Sequence, residues 1–224
     1  MAADDTPLDI AEAVRRQVAL RSQVDLTNCL VTAPKLIAGL DVSYEIGSLR
    51  VAAAVVVMEL QTFAVRESVI AHGEAKFPYV PGLLAFREVP IIQEVLGKLV
   101  CRPEVLICDG YGIAHPRRFG LACHVGVLTG LPSFGVAKSP FTATFEEPGP
   151  RRGDWSPLSE GDETLGRVLR TQTGIRPVFV SVGHRIRLDQ ATDLTLTLSR
   201  QYRLPEAIRK ADFLSREALR KTRE

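Results

Sequence analysis

The stretch "KLIAGLDVSYEIGSLRVAAAVVVMELQTFAVRESVIAHGE", residues 35–74, decides the fold. It holds three β-rich runs, at 35–45, 50–60 and 64–74, parted only by "IGSL" and "QTF". Links that short join antiparallel neighbours, because a parallel return needs a crossover of about a dozen residues or more. The chain therefore begins a sheet with three antiparallel strands. Asp41 lies inside the first of them, in "AGLDVSYE".

Outward from this stretch the pattern changes. On its N-terminal side, Ile10, Val14 and Val18 recur every four residues in "PLDIAEAVRRQVALRSQV" and predict a helix. On its C-terminal side comes "FPYVPGLLAFREVP", residues 77–90, a loop rich in proline that runs into a helix over roughly 83–99. Pro90 is expected to kink or break that helix. "EVLICDGYG" predicts a buried, parallel strand ending at Asp109. "RRFGLACHVGVLTG" predicts a helix closed by Gly130, and "PSFGVAKSP" a short strand. Irregular chain is expected from 139 to 162. Two more strands follow, in "TLGRVLRT" and "PVFVSVGHR", and then two helices, the last starting near Pro205. The order describes an α/β fold: a mixed sheet with helices on both faces, in one domain spanning residues 1–224.

Composition narrows the class. Of the 224 residues 46% are hydrophobic, enough for a sizeable core. The net charge is only +2, too mild to announce nucleic acid by itself. Basic residues do cluster, at Arg117–Arg118, Arg151–Arg152, Arg185 and Arg187, and again at Arg209, Lys210, Arg216, Arg220, Lys221 and Arg223. Each cluster reads as solvated surface unless several meet at one cleft. Cys29, Cys101, Cys108 and Cys123 form no CxxC pair and sit in apolar runs, as buried thiols do. The acidic, polar start "MAADDTPLDI" is unlike a signal peptide, and no apolar run nears the ~20 residues of a membrane span. A soluble, reduced, cytoplasmic protein is expected.

Two aspartates stand on apolar strands, Asp41 and Asp109, and Glu88 follows the rigid loop. A carboxylate in such a strand is costly unless it is paired or binds a metal. An all-oxygen set suits Mg²⁺, and Asp212 in "RKADFLS" could add a fourth acid. Cys108, His115, Cys123 and His124 fit no usual zinc spacing. Gly110-x-Gly112 lacks the third glycine of a dinucleotide site, and neither a Walker loop nor GxSxG is present.

"GLDVSY", "FPYVPGLLAFRE", "CDGYGIAHPRRFGLACHVG", "GVAKS", "VSVGHR" and "LPEAIRKAD" together resemble endonuclease V, the deoxyinosine 3′ endonuclease family. The match runs in order over about residues 7–216. "PYVPGLLAFRE" and "DGYGIAHPR" are its specific signals. The resemblance implies a ribonuclease H-like fold. It implies Mg²⁺-dependent hydrolysis, with Mn²⁺ as a substitute, of a strand carrying hypoxanthine. The cut falls at the second phosphodiester 3′ to the lesion and leaves 3′-hydroxyl and 5′-phosphate ends, with the base still attached.

By the same resemblance Asp41 and Asp109 are the central metal ligands and Glu88 is the third acid. Asp212 stands where relatives carry His or Asp, which leaves open whether it ligates directly or through water. Lys138 matches a lysine beside the scissile phosphate, where a point charge stabilises developing negative charge. Tyr79 matches a wedge that fills the stack when a base is taken out, held rigid by Pro78 and Pro81. Read alone, Tyr79 would simply pack on its loop. Gly82, Gly110 and Gly112 let backbone approach a flat base, and Leu84 and His115 line the pocket. Backbone N–H groups facing position 6 would accept the carbonyl of hypoxanthine and reject the amine of adenine. His184 is expected to hold a turn.

The expected partner is DNA containing deoxyinosine, with inosine-containing RNA as the alternative substrate, no membrane, and a monomeric protein. Two rivals stand beside this reading. One is another ribonuclease H-like nuclease, for junctions or RNA. The other is a binding protein derived from a nuclease and without catalysis, against which Asp41, Glu88 and Asp109 argue.

Overall fold

The structure, a computed structural model, describes residues 7–221. Arg223 of the last basic cluster lies outside the described residues. The elements in chain order are α1 (Ile10–Arg21), β1 (Leu36–Tyr44), β2 (Arg50–Glu59), β3 (Val65–Glu74), α2 (Leu84–Gly97), β4 (Val105–Cys108) and α3 (Leu121–Thr129). They continue with β5 (Ser133–Ala137), β6 (Thr144–Phe145), β7 (Trp155–Glu160), β8 (Glu163–Leu169), β9 (Val178–His184), α4 (Leu188–Leu198) and α5 (Glu206–Lys221). Among the described residues, all nine strands form one sheet in the order β3-β2-β1-β4-β5-β9-β8-β7-β6.

The three expected antiparallel strands are present, with Leu36 opposite Glu59 and Tyr44 opposite Val51. β4 then joins β1 in parallel, and β5 joins β4 in parallel, as in a ribonuclease H-like core. β2, "RVAAAVVVME", is buried along eight consecutive residues because helices cover both of its faces. On one face Ala38, Leu40, Val55 and Val57 pack against Val89, Ile92 and Val95 of α2 and Val125 of α3. On the other, Ile37, Val56 and Ile107 meet Leu194 of α4 and Ala207, Ile208 and Ala211 of α5.

Several local expectations are corrected. α2 runs unbroken through Pro90. The ring removes one backbone bond, to the Phe86 carbonyl. It points to solvent, while Val89, Ile91, Ile92 and Val95 hold the helix by packing. The segment expected to be irregular contains β6 and β7. Pro157 hides β7 from a reading of the sequence, but β7 lies near the sheet's edge, where β6 pairs only with its Leu158 and Ser159. Within α1, Ile10 and Val18 are exposed, and the buried residues are Ala13 and Gln17. Of the four thiols, Cys108 and Cys123 are buried, whereas Cys29 and Cys101 are partly exposed. His184 does hold a turn: its Nδ1 accepts the Asp25 N–H at 3.1 Å, tying the segment after α1 to β9. Among the described residues, no helix is long and apolar enough to cross a membrane.

Candidate active site

The parallel pair β1–β4 places two carboxylates side by side. Leu40 pairs with Cys108, so Asp41 within β1 and Asp109 just past the end of β4 come next on the two neighbouring segments. Both line a cleft of about 570 Å³. Glu88 of α2, Asp212 of α5 and Lys138, just past β5, reach the same cleft.

Each acid has its own partner. Ser215 Oγ donates to Asp41 Oδ2 at 2.7 Å and lies 2.7 Å from Ser43 Oγ. The Tyr44 hydroxyl donates to Glu88 Oε1 at 2.6 Å. Lys138 Nζ pairs with Asp109 Oδ2 at 2.5 Å, and Arg216 Nη2 with Asp212 Oδ1 at 2.8 Å. Burial pushes the Asp41 carboxyl up to about 6, helped by the negative charges of Asp109 and Asp212 and opposed by the Ser215 bond. Glu88, only 6% exposed, is pushed up to about 8, again by burial first. Asp41 and Asp109 add to that rise, and the Tyr44 bond opposes it.

Repulsion among acids around one cleft is relieved by a hard cation, and oxygen donors are what Mg²⁺ prefers. The donor set therefore fits such an ion. Among the described residues, no three His, Cys, Asp or Glu side chains stand close enough to hold a metal as they are. Lys138, Ser215, Tyr44 and Arg216 occupy the carboxylates instead.

Asp109 also lines a second, narrower pocket of about 160 Å³. One wall is the turn over residues 80–83, closed by Leu83 N–H to Val80 O at 2.9 Å, with Pro81 and Gly82 in the middle. Gly82 has φ +80°, the left-handed value that the third residue of a type II turn requires. Leu84 and Ala85 in the first turn of α2 continue this wall, and no side chain caps that helix start. Gly110, Tyr111 and His115 line the pocket as well. Phe141 closes the side, with its ring edge-on to Tyr111 at 5.3 Å. Tyr79, 69% exposed, stands at the rim.

His115 is buried, and its protons can be placed. Nδ1 accepts the Arg117 N–H at 3.1 Å, so the ring proton sits on Nε2, 3.0 Å from the Gly82 carbonyl. Burial holds this imidazole down at about 4, with Arg117 adding to the effect.

The structure brings together Asp41, Glu88, Asp109, Lys138 and Asp212 in the first cleft. It brings Tyr79, Pro81, Gly82, Leu84, Gly110 and His115 together in the second. Gly112 is the exception. It packs against β9, where an added Cβ would lie 2.0 Å from the Val182 carbonyl oxygen. Its N–H goes to Ser181 Oγ at 2.8 Å. Its lack of a side chain serves the seating of the loop on the sheet rather than the pocket. Among the described residues of the basic clusters, only Arg216 and Arg220 line the acid-lined cleft. Arg118 is spent on Glu160 and Glu163, and Arg152 on the carbonyls of Thr171 and Leu196.

Four side chains at these sites escaped the reading of the sequence: Gln17, Tyr44, Phe141 and Ser215. Ser215 carried a signal in its spacing, since Ala207, Ala211 and Ser215 form a small-residue stripe every four positions. Gln17 carried none, since only the structure shows that the face it shares with Ala13 turns inward.

Comparison with known proteins gives the family. Residues 18–213 match the family model described as Endonuclease V. Endonuclease V of Streptomyces avermitilis is 55% identical over 184 residues, 82% of this chain and 80% of that protein. A crystal structure of endonuclease V from the same organism superposes with a TM-score of 0.94 at 50% identity, covering 98% of this chain and 97% of that one. Endonuclease V of Ciona intestinalis, solved with a 24mer DNA containing an inosine followed by a ribo-adenosine, gives a TM-score of 0.83 at 28% identity, covering 95% and 98%. The acid-lined cleft, the pocket beside it and the match over most of the chain place this protein in the Endonuclease V family of endonucleases.

Proposed function

We propose that this chain, working as one domain, is a Mg²⁺-dependent nuclease that recognises hypoxanthine in a DNA strand. It hydrolyses the second phosphodiester 3′ to that base, leaving 3′-hydroxyl and 5′-phosphate ends. The observation that carries the proposal is the sharing of Asp109 between the acid-lined cleft and the narrow pocket. One side chain thus borders both the place for chemistry and the place for a base. The inosine-containing DNA bound by the Ciona relative supports the choice of lesion.

Asp41, Asp109 and Glu88 would hold Mg²⁺, with Asp212 joining them directly or through water, and the bound ion would supply positive charge to the phosphate and acidify a water. The chain's own groups do the rest. Lys138 has a compact ammonium that can turn from Asp109 to the phosphate and meet the charge that develops there. Tyr79, exposed at the pocket rim, fills the stack vacated by the base. The first N–H groups of α2, which no side chain caps, offer donors to the carbonyl at position 6. Adenine presents an amine there, and donor would face donor. Ser215 and Tyr44 orient Asp41 and Glu88.

The test is nicking of duplexes that differ only in one base, hypoxanthine or adenine, with Mg²⁺, Mn²⁺ or chelator, and with the ends mapped. A parallel inosine-containing RNA measures preference for the sugar. Cutting that ignores the base, or that persists in chelator, would overturn the proposal.

A further inference from the structure

The buried face of α1 is built around a polar side chain. Gln17 is 1% exposed, and both N–H groups and the oxygen of its amide have partners. Nε2 donates to the Gly82 carbonyl at 2.9 Å and to the Phe119 carbonyl at 2.7 Å, while Oε1 accepts from Arg117 Nε. The Gly82 carbonyl takes two more donors, Arg117 Nη2 at 2.7 Å and His115 Nε2 at 3.0 Å. A carbonyl oxygen has two lone pairs. Three N–H groups saturate it, and nothing remains for a ligand. The turn has little slack, since an added Cβ on Gly82 would lie 2.7 Å from Arg117 Nη2.

This carbonyl belongs to the turn that walls the narrow pocket. A free acceptor there would welcome an exocyclic amine, such as the one adenine carries and hypoxanthine lacks. Donors on the pocket wall select for a carbonyl; withdrawing an acceptor selects against an amine. The two devices are independent, and discrimination commonly needs both. We propose that Gln17 is a specificity-determining positioning residue: with Arg117 and His115 it sequesters the Gly82 carbonyl, so that the turn offers no acceptor to a base bearing an amine. The inference rests on the pocket being the base pocket of the proposed function.

A buried glutamine needs partners whatever it does. A merely structural tether would, when cut, lower stability and slow all substrates alike. A specificity device changes the ratio between substrates. Gln17→Met keeps the shape, removes one donor and frees Arg117 from the oxygen that orients it, so that the Arg117 donor leaves with the first and His115 alone remains on the carbonyl. The assay is single-turnover cutting of matched duplexes with hypoxanthine or adenine at one position, alongside thermal melting. The hypoxanthine-to-adenine rate ratio is expected to fall about tenfold, the scale of one buried hydrogen bond. Arg117→Met, at a half-buried position, removes one donor and releases the Gln17 amide whose oxygen Arg117 holds, so that it is expected to shift the ratio the same way and serves if Gln17→Met does not fold. An unchanged ratio in the folded variants, or equal slowing on both bases, overturns the role of Gln17 while leaving the proposed function standing. A wild-type protein without preference for hypoxanthine overturns both.

Discussion

Gly39→Ala is the substitution that probes how the site is assembled. Gly39 lies two residues before Asp41 on β1 and faces α5. A Cβ added there would stand 2.3 Å from the carbonyl carbon of Ala207, 2.5 Å from its oxygen and 2.6 Å from the Ile208 nitrogen. Carbon atoms pack at about 3.5–4.0 Å, so α5 must retreat by about 1 Å or more. The colliding atoms are backbone, and no rotamer change relieves them. Overpacking of this kind costs about 3 kcal/mol, the upper part of its usual range. For a chain of this size that lowers Tm by roughly 6–12 °C. The same retreat carries Ser215 and Asp212 away from Asp41 and breaks the 2.7 Å bond between Ser215 and Asp41. Misplacement of about 1 Å at a reacting centre can cost about 100-fold in rate. Differential scanning calorimetry and nicking assays at a temperature where the variant stays folded read the two effects separately. Gly97→Ala is the control. Nothing lies within 4 Å of that Cβ, at the end of α2, and Tm is expected to hold or rise. Adding Ala207→Gly to Gly39→Ala is not expected to rescue it, because the collision is with main-chain atoms. A Gly39→Ala protein that melts and cuts like wild type would refute this account of how α5 seats on β1.

Three further outcomes are expected. Asp109→Ala abolishes cutting yet leaves Tm unchanged or higher, because it relieves repulsion on Asp41 and Glu88; near-normal cutting with Mg²⁺ would remove Asp109 from the metal set. Tyr79→Ala weakens binding to a hypoxanthine duplex by about 1–3 kcal/mol, one base–aromatic stack, and spares unmodified duplex at the same salt; equal losses on both would make Tyr79 a general contact. His115, held down at about 4 against an ordinary value near 6.5, stays neutral in the fold while the unfolded chain takes up a proton as pH falls below about 6.5. Stability tied to it is whole above that pH and drains away toward pH 4, by up to about 3 kcal/mol. His115→Gln is therefore expected to lose less Tm than wild type between pH 7 and pH 4.5, by about 5–10 °C, and parallel losses would clear His115 of the effect.

What could be read in the sequence was whatever depends on local pattern. The links "IGSL" and "QTF" are too short for anything but antiparallel pairing, and β1, β2 and β3 pair that way. Asp41 and Asp109 stood out because charge is costly on an apolar strand, and they are neighbours across β1 and β4. The break expected at Pro90 and the irregular chain expected over 139–162, where Pro157 lies in β7, fail for one reason. A missing N–H breaks a helix or strand only where packing does not compensate, and packing is long-range. Ile10, Val14 and Val18 marked α1, which is present, but a four-residue period marks a face without saying which face turns inward.

The deeper limit concerns partners rather than elements. Ser215 meets Asp41 across more than 170 positions of chain, and Gln17 reaches Gly82 across 65. Neither pairing leaves a trace in spacing, since each depends on where a helix docks. Yet these partners decide how the conspicuous residues behave. An aspartate held by Ser215 and a turn held by Gln17 are already arranged before any ligand arrives, and arrangement made during folding need not be made again on binding. Small or polar residues on the inward face of a helix, such as Ala207, Ala211 and Ser215 on α5 or Gln17 on α1, are therefore the ones to weigh beside any acidic cluster. They mark where a helix comes close enough to position a functional group, which large apolar side chains would prevent.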